Sequence, residues 1–311
     1  MKFTTVALAS AAAYAAARIA AAMRHERAVA ARLKPNADGI VPGAASIDLP
    51  GDGPHAVLLL HGFGDTPQTV GYLATHLNAR GWTVRAPLLP GHGRTLRAFR
   101  ASRAEEWLAA ARAELAAMRA RHGRVSIAGL SMGGAIATVL AAEVGDVPAL
   151  ALIAPYLSMP RRVQRIARLH PLVWAATPYV RGGGERSIHD PAEQPKNLAY
   201  GLTTPRLLFE LLRMVQMART AAPRVAAPTL VIQSREDHRI PPEACQQTFG
   251  LLGAREKRLL WVEGCGHLIT VDYERERVFS AVTEWLGAHA PPAPRRVERP
   301  ARRSALRETP V

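Results

Sequence analysis

Cysteine is nearly absent from the sequence, which contains only Cys245 and Cys265 among its 311 residues. The two residues form no CxxC pair and lack zinc-ligand spacing, so the sequence offers neither a disulfide framework nor a cysteine-based zinc site. A single disulfide between them is one interpretation, and two unpaired small hydrophobic side chains is the favoured one. Cys265 lies two residues before His267, but no strand–turn–helix pattern surrounds it, which argues against a cysteine nucleophile.

Aromatic residues, lysine and acidic residues are also scarce. Aromatic residues make up 5% of the chain against 48% hydrophobic residues in total, which predicts a sizeable, mainly aliphatic core. The chain contains 25 acidic and 40 basic residues, which gives a formal net charge of +15. Such an excess suits nucleic acid or an anionic membrane surface. The excess is arginine, partly in the C-terminal tail, and no nucleic-acid-binding motif accompanies it, so we expect no nucleic-acid partner.

Long apolar runs are missing as well. The uncharged stretch near the N-terminus, residues 3–17, falls short of the ~20 residues that a membrane-spanning helix needs. It follows Lys2 and ends at Arg18, which could snorkel from a membrane interface. This segment fits an export signal or a membrane anchor, and it equally fits an alanine-rich surface helix. The sequence therefore leaves open whether the protein is exported, membrane-associated or cytoplasmic.

The chain does contain short apolar runs that alternate with amphipathic segments. Continuous apolar runs of this length are typical of parallel strands that are buried on both faces. The predicted strands cover residues 55–60, 82–88, 125–128, 149–154, 228–233 and 257–262. The alternation predicts an α/β fold in which helices cover both faces of a mostly parallel central sheet.

The pattern divides the chain into five segments. They are an N-terminal alanine-rich helix (1–34), the first part of the core (35–155), a helical cap insertion (156–227), the second part of the core (228–287) and a Pro/Arg-rich tail predicted to be disordered (288–311). The insertion shows helical runs around 160–174 and 205–221 and no clear strand. Within it, Leu208, Leu211 and Leu212 are expected to line an apolar substrate pocket.

A G-x-S-x-G motif at residues 129–133 follows one of the predicted strands and precedes a predicted helix. In this context the motif is typical of a sharp turn that exposes a nucleophilic serine, here Ser131. Gly129 and Gly133 provide the clearance that a strained turn requires. The following helix N-terminus presents N–H groups that suit a developing oxyanion.

A serine nucleophile needs a base and a carboxylate that orients the base. His267, in a glycine-containing loop after the last strand, is the favoured base, and His238 is its main rival. Asp237, in the loop after the strand at 228–233, is the favoured acid, and Glu236 is an alternative. Asp272 is a further alternative, although we expect it to cap the closing helix.

The oxyanion donors are predicted to be two backbone N–H groups. Met132 follows the nucleophile and supplies one. Phe63 lies in the H-G-F-G loop after the first core strand and supplies the other, and its ring is expected to wall the acyl pocket.

From His55 to Leu286 the chain resembles the α/β-hydrolase superfamily, and most of all its bacterial carboxylesterase and monoacylglycerol lipase group. The matching motifs are LLLHGFG (58–64), APLLPGHG (86–93), AGLSMGG (128–134), APTLVIQSRED (227–237) and GCGHLITVD (264–272). The resemblance implies a Ser131–Asp237–His267 triad, an oxyanion hole at Phe63 and Met132, a helical cap, and no metal or organic cofactor. The N-terminal extension and the basic tail lie outside it, and the cap is richer in Arg and Pro than the core.

These observations predict that the protein is a serine hydrolase that cleaves carboxylic esters with an apolar acyl chain. Acyl transfer or thioester cleavage on the same triad is an alternative, because pocket shape and water access choose the acceptor. A catalytically silent binding protein on this fold is a third interpretation, since a fold alone does not imply activity.

Overall fold

The computed structural model describes residues 2–182 and 187–290. Seven strands form the central sheet in the order β1-β3-β2-β4-β5-β8-β9. β1 runs antiparallel to β3, and every other neighbouring pair in this sheet is parallel. These strands are β1 (Ile47–Leu49), β2 (Ala56–Leu60), β3 (Thr83–Ala86), β4 (Ser126–Leu130), β5 (Leu150–Ile153), β8 (Thr229–Ser234) and β9 (Lys257–Val262). The predicted α/β fold with a mostly parallel sheet is confirmed.

Helices cover both faces of this sheet. Those of the core are α2 (Gln68–Asn78), α3 (Leu96–Ala101), α4 (Ala104–His122), α5 (Met132–Val144), α9 (Pro242–Leu251) and α10 (Arg275–Ala288). α4 buries Trp107, Ala111, Leu115 and Met118, the face that its 3.6-residue periodicity predicts. α5 is buried along most of its length, since it packs behind β4 in the centre of the domain. The sequence patterns did not predict α3, which has only six residues.

In its described part, the insertion between β5 and β8 contains three α-helices and a small two-stranded sheet. The helices are α6 (Arg161–Arg168), α7 (His170–Ala176) and α8 (Pro205–Ala221), and α8 packs against α5, α6 and α7. β6 (Val180–Arg181) pairs antiparallel with β7 (Leu202–Thr203). The expectation that this segment lacks strands is therefore wrong. Strands of two residues carry no detectable periodicity, and pairing between distant residues fixes them.

α1 (Lys2–Leu33) precedes the core, and its C-terminal half packs onto it. Val29 and Leu33 are buried, and Glu26 accepts a hydrogen bond from the Tyr179 hydroxyl at 2.9 Å. Glu26 also pairs with Arg100 of α3 at 3.4 Å. Within the part of the chain that the structure describes, no helix combines the length and the hydropathy needed to cross a membrane. The predicted disordered tail lies, from residue 291 onward, outside the described residues.

Because β2, β4, β5, β8 and β9 are parallel, the loops that leave their carboxyl ends meet at one edge of the sheet. The loops after β2, β4, β8 and β9 contain the residues that the sequence predicts to be functional. The insertion leaves β5 at the same edge and lies over it.

Candidate active site

Ser131 occupies the sharp turn between β4 and α5. Its backbone has φ 57° and ψ −115°, a conformation that an L-residue adopts only under strain. The turn requires glycine on both sides. A Cβ atom on Gly129 would lie 2.3 Å from the carbonyl oxygen of Gly133, and one on Gly133 would lie 2.1 Å from that of Leu60. Only glycine fits these two positions, which explains the spacing of the motif.

The structure brings Ser131, His267 and Asp237 into one hydrogen-bonded chain. His267 Nε2 lies 2.8 Å from Ser131 Oγ, and His267 Nδ1 lies 2.7 Å from Asp237 Oδ2. A carboxylate can only accept, so His267 Nδ1 carries the proton and Nε2 is left as an acceptor for the serine hydroxyl. All three side chains are buried.

Asp237 is held ionised in this buried position. Burial by itself would raise the pKa of its carboxyl, but the charge and hydrogen bond of His267 outweigh burial and lower the pKa below its usual value. Further donors are the backbone N–H of Arg239 at 2.7 Å and the Gln233 side-chain amide at 2.8 Å. The carboxylate therefore stays charged and can stabilise a protonated His267.

The backbone N–H groups of Phe63 and Met132 donate no hydrogen bond to another described group. Met132 is the first residue of α5, so its N–H has no intrahelical acceptor. Phe63 follows β2 and packs its ring against Phe99 and Trp107, with centroid distances of 5.1 and 5.8 Å. The loop is thus held by its aromatic side chain while its N–H stays available.

The rival residues occupy other positions. Glu236 accepts a hydrogen bond from the backbone N–H of Gly264 at 2.7 Å, lies 3.6 Å from His189 Nδ1, and makes no hydrogen bond or ion pair with His267. His238 is exposed and lies at the wall of the cavity above Ser131, without a bond to the serine.

The prediction that Asp272 caps the closing helix is wrong. α10 begins three residues later, and the Asp272 carboxylate instead accepts from the backbone N–H groups of Gly266 at 2.7 Å, His189 at 2.8 Å and Asp190 at 2.9 Å. Asp272 therefore ties the insertion to the loop that carries His267. No local sequence pattern indicates this contact, because His189 and Asp190 are more than eighty residues away.

A cavity of about 350 Å³ lies over Ser131, within the range of roughly 300–1,000 Å³ that is usual for small-molecule sites. Phe63 and, from α8, Leu208 and Leu211 line it. Leu212 is buried in the hydrophobic core and does not line the cavity, so the expectation for this residue is corrected. A helical residue that is buried need not face the pocket, and the sequence pattern does not distinguish the two faces.

The cavity wall also contains polar residues that the sequence patterns do not predict, among them Asp65, Tyr156 and Arg239. Asp65 directly follows the H-G-F-G motif, and this position could have identified it. Among the described residues, no group of three or more His, Cys, Asp or Glu side chains could hold a metal ion. Cys245 and Cys265 are buried and unpaired, and burial raises the pKa of each thiol to about 12.

The family model for serine aminopeptidase, S33, matches residues 53–274. The chain belongs to this family. Over 246 residues this S33-family chain is 28% identical to the thermostable monoacylglycerol lipase of Bacillus sp. (strain H-257), an alignment that covers 77% of the chain and 93% of the lipase. It is 27% identical to a carboxylesterase of Bacillus subtilis (strain 168), over 75% of the chain and 93% of that enzyme.

Solved structures show the same relationship. A structure described under the metagenome-derived lipolytic enzymes LipS and LipT superimposes with a TM-score of 0.74 at 31% identity, and covers 80% of this chain and 100% of that one. The S33-family chain thus has the α/β-hydrolase fold and is a serine ester hydrolase.

Proposed function

We propose that the protein hydrolyses esters of apolar acyl chains, monoacylglycerols among them, through an acyl-enzyme on Ser131. The observation that carries this proposal is the chain of hydrogen bonds from Asp237 through His267 to Ser131, beneath a mainly apolar cavity. The similarity to a monoacylglycerol lipase supports a lipid ester as the substrate.

In the first half-reaction, His267 Nε2 takes the hydroxyl proton as Ser131 Oγ attacks the ester carbonyl carbon. The negative charge moves to the carbonyl oxygen, where the N–H groups of Phe63 and Met132 stabilise it. One such donor contributes about 3 kcal/mol of transition-state stabilisation. The intermediate then expels the alcohol oxygen, which takes the proton from His267, and an ester of Ser131 remains.

In the second half-reaction a water molecule gives a proton to His267 Nε2 and attacks the acyl-enzyme. Collapse of this intermediate releases the carboxylic acid, and the proton returns from His267 to Ser131 Oγ. Throughout the cycle Asp237 remains charged and holds the imidazole in one tautomer. Another acceptor in place of water would give acyl transfer on the same residues.

The test is hydrolysis of p-nitrophenyl esters from acetate to palmitate, together with monoacylglycerols of the same chain lengths. We expect activity in the wild type and none above background in Ser131→Ala, with an optimum at an acyl length that fits the cavity. Full activity in a folded Ser131→Ala variant would disprove the proposal. Addition of a short alcohol, with analysis of the products, separates hydrolysis from acyl transfer.

We also infer that the protein associates with an anionic lipid surface through α1 and α7. Ile19 of α1 and Leu172 and Trp174 of α7 are 62%, 70% and 47% exposed. The two helices meet at Arg18, which donates to the backbone carbonyl of Trp174 and stacks 4.2 Å from its ring. The neighbouring helix α6 exposes four arginines, Arg161, Arg162, Arg165 and Arg168. Apolar side chains beside basic ones suit the headgroup region of a bilayer.

Sedimentation with lipid vesicles tests this association. We expect binding to vesicles that contain phosphatidylglycerol and much weaker binding to vesicles of phosphatidylcholine alone. Replacing Leu172 and Trp174 together with Ser should reduce the bound fraction. Tyr273→Ser is the matched control, because Tyr273 is also 60% exposed but lies before α10. Equal binding by the double variant and the control would contradict the inference.

A further inference from the structure

Asp65 differs from the other buried carboxylates of the described chain. Asp237 and Asp272 each accept several hydrogen bonds, Glu193 pairs with basic side chains and Tyr72, and Glu210 pairs with arginines. Asp65 is also buried, although at 7% it is slightly more exposed than these four residues, and its side chain makes no hydrogen bond or ion pair with any described residue. A buried carboxylate without a partner is costly, so its position requires an explanation.

The side chain lies beside the nucleophile and has no local structural role. A Cβ atom on Gly62 would lie 2.8 Å from Asp65 Oδ2 and 3.4 Å from Ser131 Cβ. The Asp65 carboxylate and the Ser131 side chain therefore both lie next to Gly62. Asp65 does not cap the nearby helix α2, since Thr66 Oγ1 accepts the backbone N–H of Gln68. Both Asp65 and Ser131 line the cavity.

Arg239 supplies a complementary group in the same cavity. Its Nε donates to Ser187 Oγ at 3.0 Å, whereas its two Nη groups donate no hydrogen bond to the described residues. Burial raises the pKa of the Asp65 carboxyl, and the positive charges of Arg239 and His267 oppose this rise. The cavity thus has an acceptor and a donor near Ser131, and an apolar wall that includes Leu208 and Leu211.

We propose that Asp65 and Arg239 form a subsite for the hydroxyl groups of a polyol leaving group, such as the glycerol of a monoacylglycerol. A free hydroxyl donates to the carboxylate and accepts from the guanidinium, so an uncharged diol satisfies both side chains. An anionic headgroup would be repelled by Asp65, and a simple alkyl alcohol would leave both groups unpaired. This subsite rests on the proposed ester hydrolysis and specifies the alcohol half of the substrate.

The test compares two esters with the same acyl chain, 1-monooctanoylglycerol and ethyl octanoate. The measured quantity is the ratio of their kcat/KM values. Asp65→Leu removes the acceptor but keeps the branched shape of the side chain, and should lower this ratio roughly 10- to 100-fold, the usual range for a hydrogen bond to a charged group. Asp65→Asn should give a smaller decrease, and so should Arg239→Gln. Glu263→Leu is the control, because Glu263 is an exposed carboxylate in a neighbouring loop, and it should leave the ratio unchanged.

An unchanged ratio of kcat/KM values in Asp65→Leu would overturn the subsite. An equal loss of kcat/KM on both esters would also overturn it, because Asp65 would then act on the His267 imidazole and not on the alcohol. If the wild type hydrolyses neither ester, the proposed function fails, and the subsite is judged by binding. Calorimetry then compares 1-O-hexylglycerol with ethyl hexyl ether, neither of which can be hydrolysed. A preference for the glycerol ether that Asp65→Leu abolishes supports the subsite, and the absence of a preference refutes it.

Discussion

Replacement of Asp237 with Asn removes one charge from the centre of the site and preserves the shape of the side chain. In the wild type, Oδ1 accepts from the backbone N–H groups of Arg239 at 2.7 Å and Ile240 at 3.1 Å. Oδ2 accepts from His267 Nδ1 at 2.7 Å and from the Gln233 amide at 2.8 Å. Because a backbone N–H group can only donate, we expect the new amide oxygen at the Oδ1 position and the new NH₂ group at the Oδ2 position.

The NH₂ group then faces Gln233 and His267. Gln233 can accept from it only by turning its amide, which breaks the hydrogen bond from its Nε2 to the Ile240 carbonyl oxygen at 3.1 Å. His267 can accept only if its proton moves from Nδ1 to Nε2. That tautomer directs an N–H at Ser131 Oγ, where a lone pair is needed. We therefore expect kcat to fall about 10⁴-fold, which corresponds to about 5 kcal/mol.

The assay is kcat for the preferred p-nitrophenyl ester, with a thermal melt to establish folding. Glu236→Gln is the matched control, because Glu236 is the adjacent carboxylate, is exposed, and contacts the Gly264 N–H and His189 and not the catalytic residues. A folded Asp237→Asn variant that retains more than a tenth of the wild-type kcat would refute the argument that Asp237 fixes the tautomer.

Three further predictions follow from packing and burial. Gly133→Ala should destabilise the fold by about 2–3 kcal/mol in urea unfolding, since its Cβ would lie 2.1 Å from the Leu60 carbonyl oxygen. Burial lowers the pKa of His61 to about 4, so below pH ~6.5 the unfolded chain binds a proton that the folded chain does not. The free energy of unfolding should therefore fall by on the order of 3 kcal/mol as the pH drops from 6.5 to 4. This decrease should be smaller in the His61→Gln variant. Leu208→Trp narrows the apolar wall and should shift the optimum in the ester series to shorter acyl chains.

The sheet and most helices were predictable because the relevant signals are local. β2 and β4 are runs of residues that are buried on both faces, and such runs are visible without knowledge of their neighbours. The α4 periodicity likewise marks its buried side. α3 and the β6–β7 pair were not predicted because they are too short to show a period.

For the site, the sequence by itself determined the nucleophile turn, since the clearances at Gly129 and Gly133 demand glycine whatever surrounds them. It also gave the order of the candidate serine, acid and base along the chain. Only the tertiary structure decided which side chains meet. The separation of Leu212 from the cavity, the binding of Asp272 to the backbone of the insertion and the isolation of Asp65 beside Ser131 depend on contacts between distant segments. No short-range pattern encodes such contacts, because they arise from how the loops and the insertion pack at one edge of the sheet.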